Sequence, residues 1–405
     1  MIEIATLGLV VLFVTIFVGT KVEAPIISSF YLFVAFSFLY CTYMYVGSTI
    51  ETGGLSLLNN HELIWYVILS TYLGLIFFGI FYLLGANRRS KHYKFITHKE
   101  VRINIFIPTY LSLLVILLIF AKDWGWHAVS RDKVEGAGAS LFAYGKYFFI
   151  CMGLVALWHK TFSKKWTIFI FLTQLTLMFL DGGRATFFGL VVAYIWILSR
   201  KGFNLKASHV GYLVTFGILL LASRAIVLGE GLIDGMMSSL VAEGIFAGYT
   251  GLQMAEYIHN GGDVLFGLTY LIDPIIYLLP MGIRENYLLF ISLSVNKYSG
   301  VEAFGPMGGF FWMAEAIANF GFLGGSIVGS VYGYLLAKLE SNNKGEGYYT
   351  IFTISAFTSL LSKYYLANGL KIAIFYLGAG FIIKIFFLKK FPFRKSTSTT
   401  SNSVS

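Results

Sequence analysis

The chain has 405 residues, 57% apolar and only 12% charged, with a mean hydropathy of +0.74 and a formal net charge of +10. Soluble domains carry about twice that charged fraction, so a water-soluble enzyme is excluded, as is a disordered chain, which needs low hydrophobicity and high charge. Long apolar runs bounded by basic clusters also exclude a β-barrel, whose strands alternate apolar and polar residues over about ten positions, and leave an all-α polytopic membrane protein.

At about 1.5 Å per residue, about 20 apolar residues cross about 30 Å of hydrocarbon, and shorter spans are tolerated. Eleven stretches predict such spans: about 4–20, 26–47, 63–85, 103–121, 140–158, 166–180, 185–199, 208–224, 318–338, 348–366 and 370–388. The first lacks a basic start and a small-residue cleavage pattern, so it reads as a retained span and not a signal peptide. Lys and Arg favour the cytoplasmic side. The run Arg88, Arg89, Lys91, Lys94, Lys99, Arg102 therefore places the loop after span three inside. Alternation then puts Lys160/Lys164/Lys165, Arg200/Lys201/Lys206, Lys338/Lys344 and Lys389/Lys390/Arg394/Lys395 inside as well. With Lys21, nineteen of the thirty basic residues are cytoplasmic, while sixteen of the twenty acids fall at or beyond the outer boundary. The N-terminus is expected outside and the C-terminus inside. The net positive charge is then a topology signal, and no nucleic-acid partner is implied.

The chain thus divides into spans one to eight over 1–224, with a charged, Gly-rich outer loop at 122–139. An external region follows at 225–317, then spans nine to eleven over 318–390, and a polar tail at 391–405 expected to be disordered. The external region is not polar. Its stretches SSLVAEGIFAGYTGLQMAEYIHN, VLFGLTYLIDPIIYLLP and ENYLLFISLSVNKY predict amphipathic helices lying on or dipping into the outer leaflet, and loops of such length usually carry function.

The informative residues are bases that contradict the inside rule. Spans six and seven hold only about fifteen uncharged residues each, about 22 Å at 1.5 Å per residue. The turn Asp181-Gly182-Gly183-Arg184 is therefore expected in a recess below the outer surface. Gly182 and Gly183 permit a tight turn. Arg184 opens the next helix, where free N–H groups, the helix dipole and a guanidinium together make an anion site; the alternative is an Arg184–Asp181 pair that closes the turn. Arg224 ends span eight at similar depth. Arg284 follows Pro280 and Gly282 where an apolar segment returns to water, a place that also suits an interfacial anchor. Arg131 and Asp132 are adjacent in the outer loop, and Lys146, Lys363 and Lys371 sit within spans near their outer ends, where snorkelling or pairing with outer acids competes with function.

Glu315 is the carboxylate that stands out, in FFWMAEAIANFG leading into span nine. Twenty-three residues separate it from Lys338, about 34 Å of helix, which places it at the outer interface. Among Phe310, Phe311, Trp312, Met313 and Ile317 it loses solvation, which favours the neutral carboxyl and suits a general base near neutral pH. A structural partner for an arginine is the equal alternative. Gly325, Gly329 and Gly333 recur every four residues, a spacing for close helix packing.

Cys41 and Cys151 lie in apolar runs, the seven histidines form no HExxH, and neither GxxxxGK[ST] nor GxGxxG occurs. Disulfide, metal and nucleotide-cofactor chemistry are therefore not expected. Several outer arginines without a metal motif point to a polyanionic ligand. Outer aromatics such as Trp124, Trp126 and Tyr249 suit either sugar stacking or an interfacial belt.

Three stretches, DGGRATFFGLVVAYI at 181–195, FGLTYLIDPIIYLLPMGIRENY at 266–287 and GPMGGFFWMAEAIANFGFLGG at 305–325, resemble the bacterial oligosaccharide repeat-unit polymerases, the Wzy-type family of O-antigen and capsule polymerases. The third is the most specific, and the hydropathy profile is similar along most of the chain. The resemblance implies a glycosyltransferase-C-like fold acting on the periplasmic face of the bacterial inner membrane. It implies a glycosyltransferase that moves the growing glycan from undecaprenyl diphosphate onto the next lipid-linked repeat unit, and the missing metal and nucleotide motifs make a metal-independent, cofactor-free reaction the expectation. Donor and acceptor are then undecaprenyl-diphosphate-linked oligosaccharides, membrane lipids surround the chain, and a chain-length regulator is a candidate partner.

By the matching motif positions, Glu315 and Arg284 take catalytic roles and Arg184, with Gly183 in the same turn, binds diphosphate. Arg224 and Arg131 join the diphosphate set on topology alone, with Asp132 and Lys363 as secondary candidates. An O-antigen ligase or peptidoglycan polymerase would share the fold class, the outer loop and the lipid-diphosphate donor. A lipid-oligosaccharide flippase is the rival of another class. It calls for cations deep in a central cavity, and transporters often carry repeated halves, neither of which is seen here.

Overall fold

The computed structural model describes residues 2–22, 29–47, 59–86, 99–123, 137–159, 162–180, 248–276, 311–341 and 366–390, with single positions 190, 194 and 197. These are mostly helical. Helices α1 (Ile2–Lys21), α2 (Ser29–Gly47), α3 (His61–Gly85), α4 (Ile103–Asp123), α5 (Ala137–Trp158) and α6 (Lys164–Leu180) coincide with the first six expected spans. Helical residues 248–259 follow, then α7 (Leu268–Ile276), α8 (Trp312–Phe320), a tight turn at Gly321–Leu323, α9 (Gly324–Ser341) and α10 (Leu366–Phe387). The expected spans at 185–199, 208–224 and 348–366 lie almost wholly outside the described residues.

Among the described residues, three stretches are long and apolar enough to cross a membrane: His61–Gly85, Ile103–Phe120 and Trp312–Leu339. Apolar side chains also lie exposed along their flanks, among them Leu111, Val115 and Ile119 on α4 and Ile327, Val331 and Leu335 on α9. Contiguous exposed apolar surface of this kind is foreign to a monomeric soluble protein. The fold is therefore consistent with an all-α membrane protein.

One small feature was not expected. Lys99–Val101 (β1) and Leu388–Lys390 (β2) pair antiparallel, with Val101 opposite Leu388 and Lys99 opposite Lys390. The Arg102 N–H donates to the carbonyl of Phe387 at 2.8 Å next to this pair. The chain entering α4 and the chain leaving α10 run side by side. Backbone groups that helix ends leave unsatisfied find partners in each other.

The described residues form two buried clusters. The first gathers α1, α2, α3, helical residues 248–259, α8 and α9 around Phe30, Phe33, Phe78 and Trp312. The second gathers α4, α5, α6 and α10 around Phe106, Tyr110 and Phe149. In the first, Asn60 caps α3: its side-chain oxygen accepts from the N–H groups of Glu62 and Leu63 at 3.1 and 3.3 Å, satisfying donors that the helix leaves free. The Trp312 indole N–H donates to Ser37 Oγ at 2.9 Å, joining α8 to α2. In the second, the Gln174 side chain of α6 donates to the carbonyls of Phe149 and Ile150 on α5 and accepts from the Tyr194 hydroxyl at 2.8 Å.

Helices α3 and α9 approach each other backbone to backbone, and glycine makes it possible. A β-carbon on Gly325, Gly329 or Gly333 would run into the backbone carbonyls of Ser70, Gly74 and Phe78 respectively. Both rows repeat every four residues, so one ridge lies against the other with backbone touching backbone. The packing role expected for these three glycines is what the structure shows.

The expected span nine is not one rod. Gly321 has φ +59, a left-handed conformation that favours glycine, and its N–H donates to Ile317 O, ending α8 before α9 begins. Nor are helical residues 248–259 set apart on a surface. Tyr249, Leu252, Met254 and Ala255 are buried in the first cluster, and Gly248 and Gly251 sit close to Met44 and Val67. Helical residues 248–259 thus pack into the bundle, while Leu271 and Ile275 of α7 are exposed.

Candidate functional site

Glu315 lies one turn into α8, an otherwise apolar nine-residue helix whose first eight residues are all buried. Its carboxylate is 1% exposed. A carboxylate in such a place needs hydrogen bonds to both oxygens, and it has them. Thr269 Oγ1 donates to Oε1 at 3.0 Å, and the backbone N–H of Leu366 donates to Oε2 at 2.7 Å. Leu366 is the first residue of α10, so the carboxylate sits on a helix N-terminus, where free N–H groups and the helix dipole favour negative charge. The side chain therefore joins three elements: α8, which carries it, α7 and α10.

A second layer surrounds it. Asn319, four residues on from Glu315 along α8 and fully buried, donates through Nδ2 to Thr269 Oγ1 at 2.6 Å and to the Glu315 carbonyl at 2.8 Å. Its Oδ1 accepts from the Thr269 N–H at 3.4 Å. The chain entering α7 is tied to the end of α8, with the N–H groups of Leu265 and Phe266 donating to Ala318 O and Asn319 O at 3.0 and 2.9 Å. Phe266 takes φ +46 to reach that pairing, an unfavourable conformation for a bulky residue. Asp273, one turn beyond Thr269 on α7, is also fully buried. Tyr270 stacks on Phe320 with ring centroids 6.2 Å apart, and its buried hydroxyl has no hydrogen-bond partner among the described residues. The outward face of α7 is apolar, with Leu271 and Ile275 exposed.

Of the residues singled out in the sequence, Glu315 is therefore placed with its partners. Lys146 is buried in α5, with Nζ 5.5 Å from the centre of the Tyr147 ring, within cation–π range. Gly183, Arg131, Asp132, Arg184, Arg224, Arg284 and Lys363 lie outside the described residues. Thr269, Asn319 and Asp273 join Glu315 without having been singled out. The four-residue spacing from Glu315 to Asn319 puts both on one helix face and was a signal for Asn319. Thr269 is an uncharged residue 46 positions away and left no such signal. Among the described residues no three His, Cys, Asp or Glu side chains converge as a metal site would require.

No family model, curated protein or solved structure matches the chain. The likeness to repeat-unit polymerases therefore rests on the three quoted stretches.

Proposed function

We propose that the chain polymerises oligosaccharide repeat units carried on undecaprenyl diphosphate, at the periplasmic face of a bacterial inner membrane, in an eleven-span, glycosyltransferase-C-like fold. One observation carries the reading furthest. Two of the three stretches that bear the resemblance, 266–287 and 305–325, meet in a single buried hydrogen-bonded cluster through Thr269, Glu315 and Asn319. Stretches brought together around one carboxylate suit a site better than separate packing motifs do.

In the proposed reaction a hydroxyl at the non-reducing end of the new lipid-linked unit gives its proton to Glu315. Its oxygen attacks the anomeric carbon of the growing glycan, the bond from that carbon to the diphosphate oxygen breaks, and undecaprenyl diphosphate leaves with the electron pair. Each carboxylate oxygen accepts one bond from the protein and retains a lone pair for that proton. Because Glu315 is closed to solvent, the acceptor reaches it only through a local opening that leaves the Thr269 and Leu366 hydrogen bonds in place. Arg184, Arg224 and Arg131, with Gly183 in the turn, hold the two diphosphates. Arg284 stabilises charge on the departing one without a metal ion, and Asp132 and Lys363 are secondary contacts.

Glu315→Gln tests this in cells that make lipopolysaccharide. The variant keeps the shape but takes up no proton, and loss of a general base costs about 10²–10⁴ in rate. The expected product is lipopolysaccharide capped with one repeat, since a separate ligase still acts. Long glycan stranded on undecaprenyl diphosphate would point to a ligase instead. Wild-type ladders would remove Glu315 from the mechanism.

A further inference from the structure

We infer that Thr269 and Asn319 are positioning residues that aim Glu315, acting as a relay in which Asn319 fixes the direction of the Thr269 proton. The inference rests on the base role proposed for Glu315 and adds two residues to it. The direction of each bond follows from the donors and acceptors present. The Glu315 carbonyl only accepts, so the Asn319 atom 2.8 Å from it is the amide nitrogen. That nitrogen's second hydrogen faces Thr269 Oγ1 at 2.6 Å, so the hydroxyl oxygen is an acceptor there. Thr269 has one hydroxyl proton, and with its oxygen turned to Asn319 the proton is directed to Glu315 Oε1, 3.0 Å away. Both N–H groups and the oxygen of the Asn319 amide are engaged, since Oδ1 accepts from the Thr269 N–H.

The carboxylate is thereby held at both oxygens. Oε1 takes the relay's proton and Oε2 takes the Leu366 N–H. This fixes the plane of the carboxylate and leaves one lone-pair direction on each oxygen for a reacting hydroxyl. Preorganisation of this kind aligns the base before the acceptor arrives. Thr269, Glu315 and Asn319 are at most 1% exposed, so solvent does not compete for these bonds.

The test compares Thr269→Val, which keeps the shape but lacks the hydroxyl, with Thr269→Ser, which restores it. Purified full-length protein is assayed with a defined lipid-linked repeat unit. Thr269→Val is expected to lower kcat about tenfold, the effect of one hydrogen bond, at unchanged KM, and Thr269→Ser to recover most of it. A second readout needs no turnover: the rate at which an apolar carbodiimide modifies Glu315, followed by mass spectrometry. Thr269→Val frees Oε1 and quickens modification, Thr269→Ser returns it to the wild-type rate, and Asn319→Ala moves it in the same direction as Thr269→Val. Wild-type kcat and labelling in Thr269→Val would overturn the relay. So would a serine variant that melts normally yet rescues neither readout. If wild-type protein extends no glycan, the polymerase reading fails, and the labelling rates alone decide for or against the relay.

Discussion

Replacing Gly329 by alanine adds one methyl group to the seam where α3 and α9 touch backbone to backbone. The new β-carbon would meet the backbone of Gly74, with its carbonyl carbon 2.9 Å and its α-carbon 3.2 Å away and its oxygen nearer still. Ordinary contact needs about 3.5–4.0 Å between carbons. The obstacle is backbone on a neighbouring helix, so no side chain can swing aside, and α3 and α9 must part by roughly 0.5–1 Å. A gap of that size forfeits a quarter to a half of the dispersion attraction for each contact along the seam, and overpacking of this kind costs about 1–3 kcal/mol. Alanine's own helix preference returns about 0.5–1 kcal/mol. Gly378 in α10 is the matched control, because a β-carbon there meets nothing within 4 Å. Thermal unfolding in detergent should show Gly329→Ala melting below wild type and Gly378→Ala at or slightly above it. Helix α8, which carries Glu315, leads into α9 through Gly321, so Gly329→Ala should lower turnover more than Gly378→Ala does. Equal or higher stability in Gly329→Ala, with Gly378→Ala unchanged, would refute the reasoning.

Three further outcomes are expected. Arg184→Lys should impair turnover markedly, because a lysine cannot reproduce the planar fork that grips diphosphate; intact turnover and substrate affinity in a folded Arg184→Ala protein would leave Arg184 a structural residue. Treatment with EDTA should leave glycan extension unchanged, whereas loss of activity restored by magnesium or manganese would reverse the metal-free mechanism. A C-terminal fusion reporter that works only in the cytoplasm should be active, and one active only on the external face would overturn the orientation read from the nineteen inner basic residues.

Helices with long apolar runs were readable from the sequence because burial in lipid or in a helical core needs the same continuous pattern. Thus α1 to α6 and α10 fall where the apolar runs do. The glycine seam was readable too, since a four-residue repeat of small residues has one common use. The break at Gly321 was not, because apolarity continues through it and only a positive φ marks the turn. The β1–β2 pair joins residues almost 290 positions apart, and no local pattern announces such a contact. At the site, Glu315 drew notice as a lone charge among aromatics. Its partners are a threonine, a backbone N–H and an asparagine, groups too common along a chain to stand out until folding gathers them. Among the described residues Glu315 pairs with a hydroxyl and a backbone N–H, and the arginines that stand as its alternative partners lie outside them.

The most direct measurement incubates the pure protein with a single defined lipid-linked repeat unit and no other enzyme, and separates the products by size. The account predicts a ladder of lipid-linked glycans that differ by one repeat, with undecaprenyl diphosphate released in step. Unchanged substrate, in protein shown to be folded and to bind the lipid-linked unit, would contradict it.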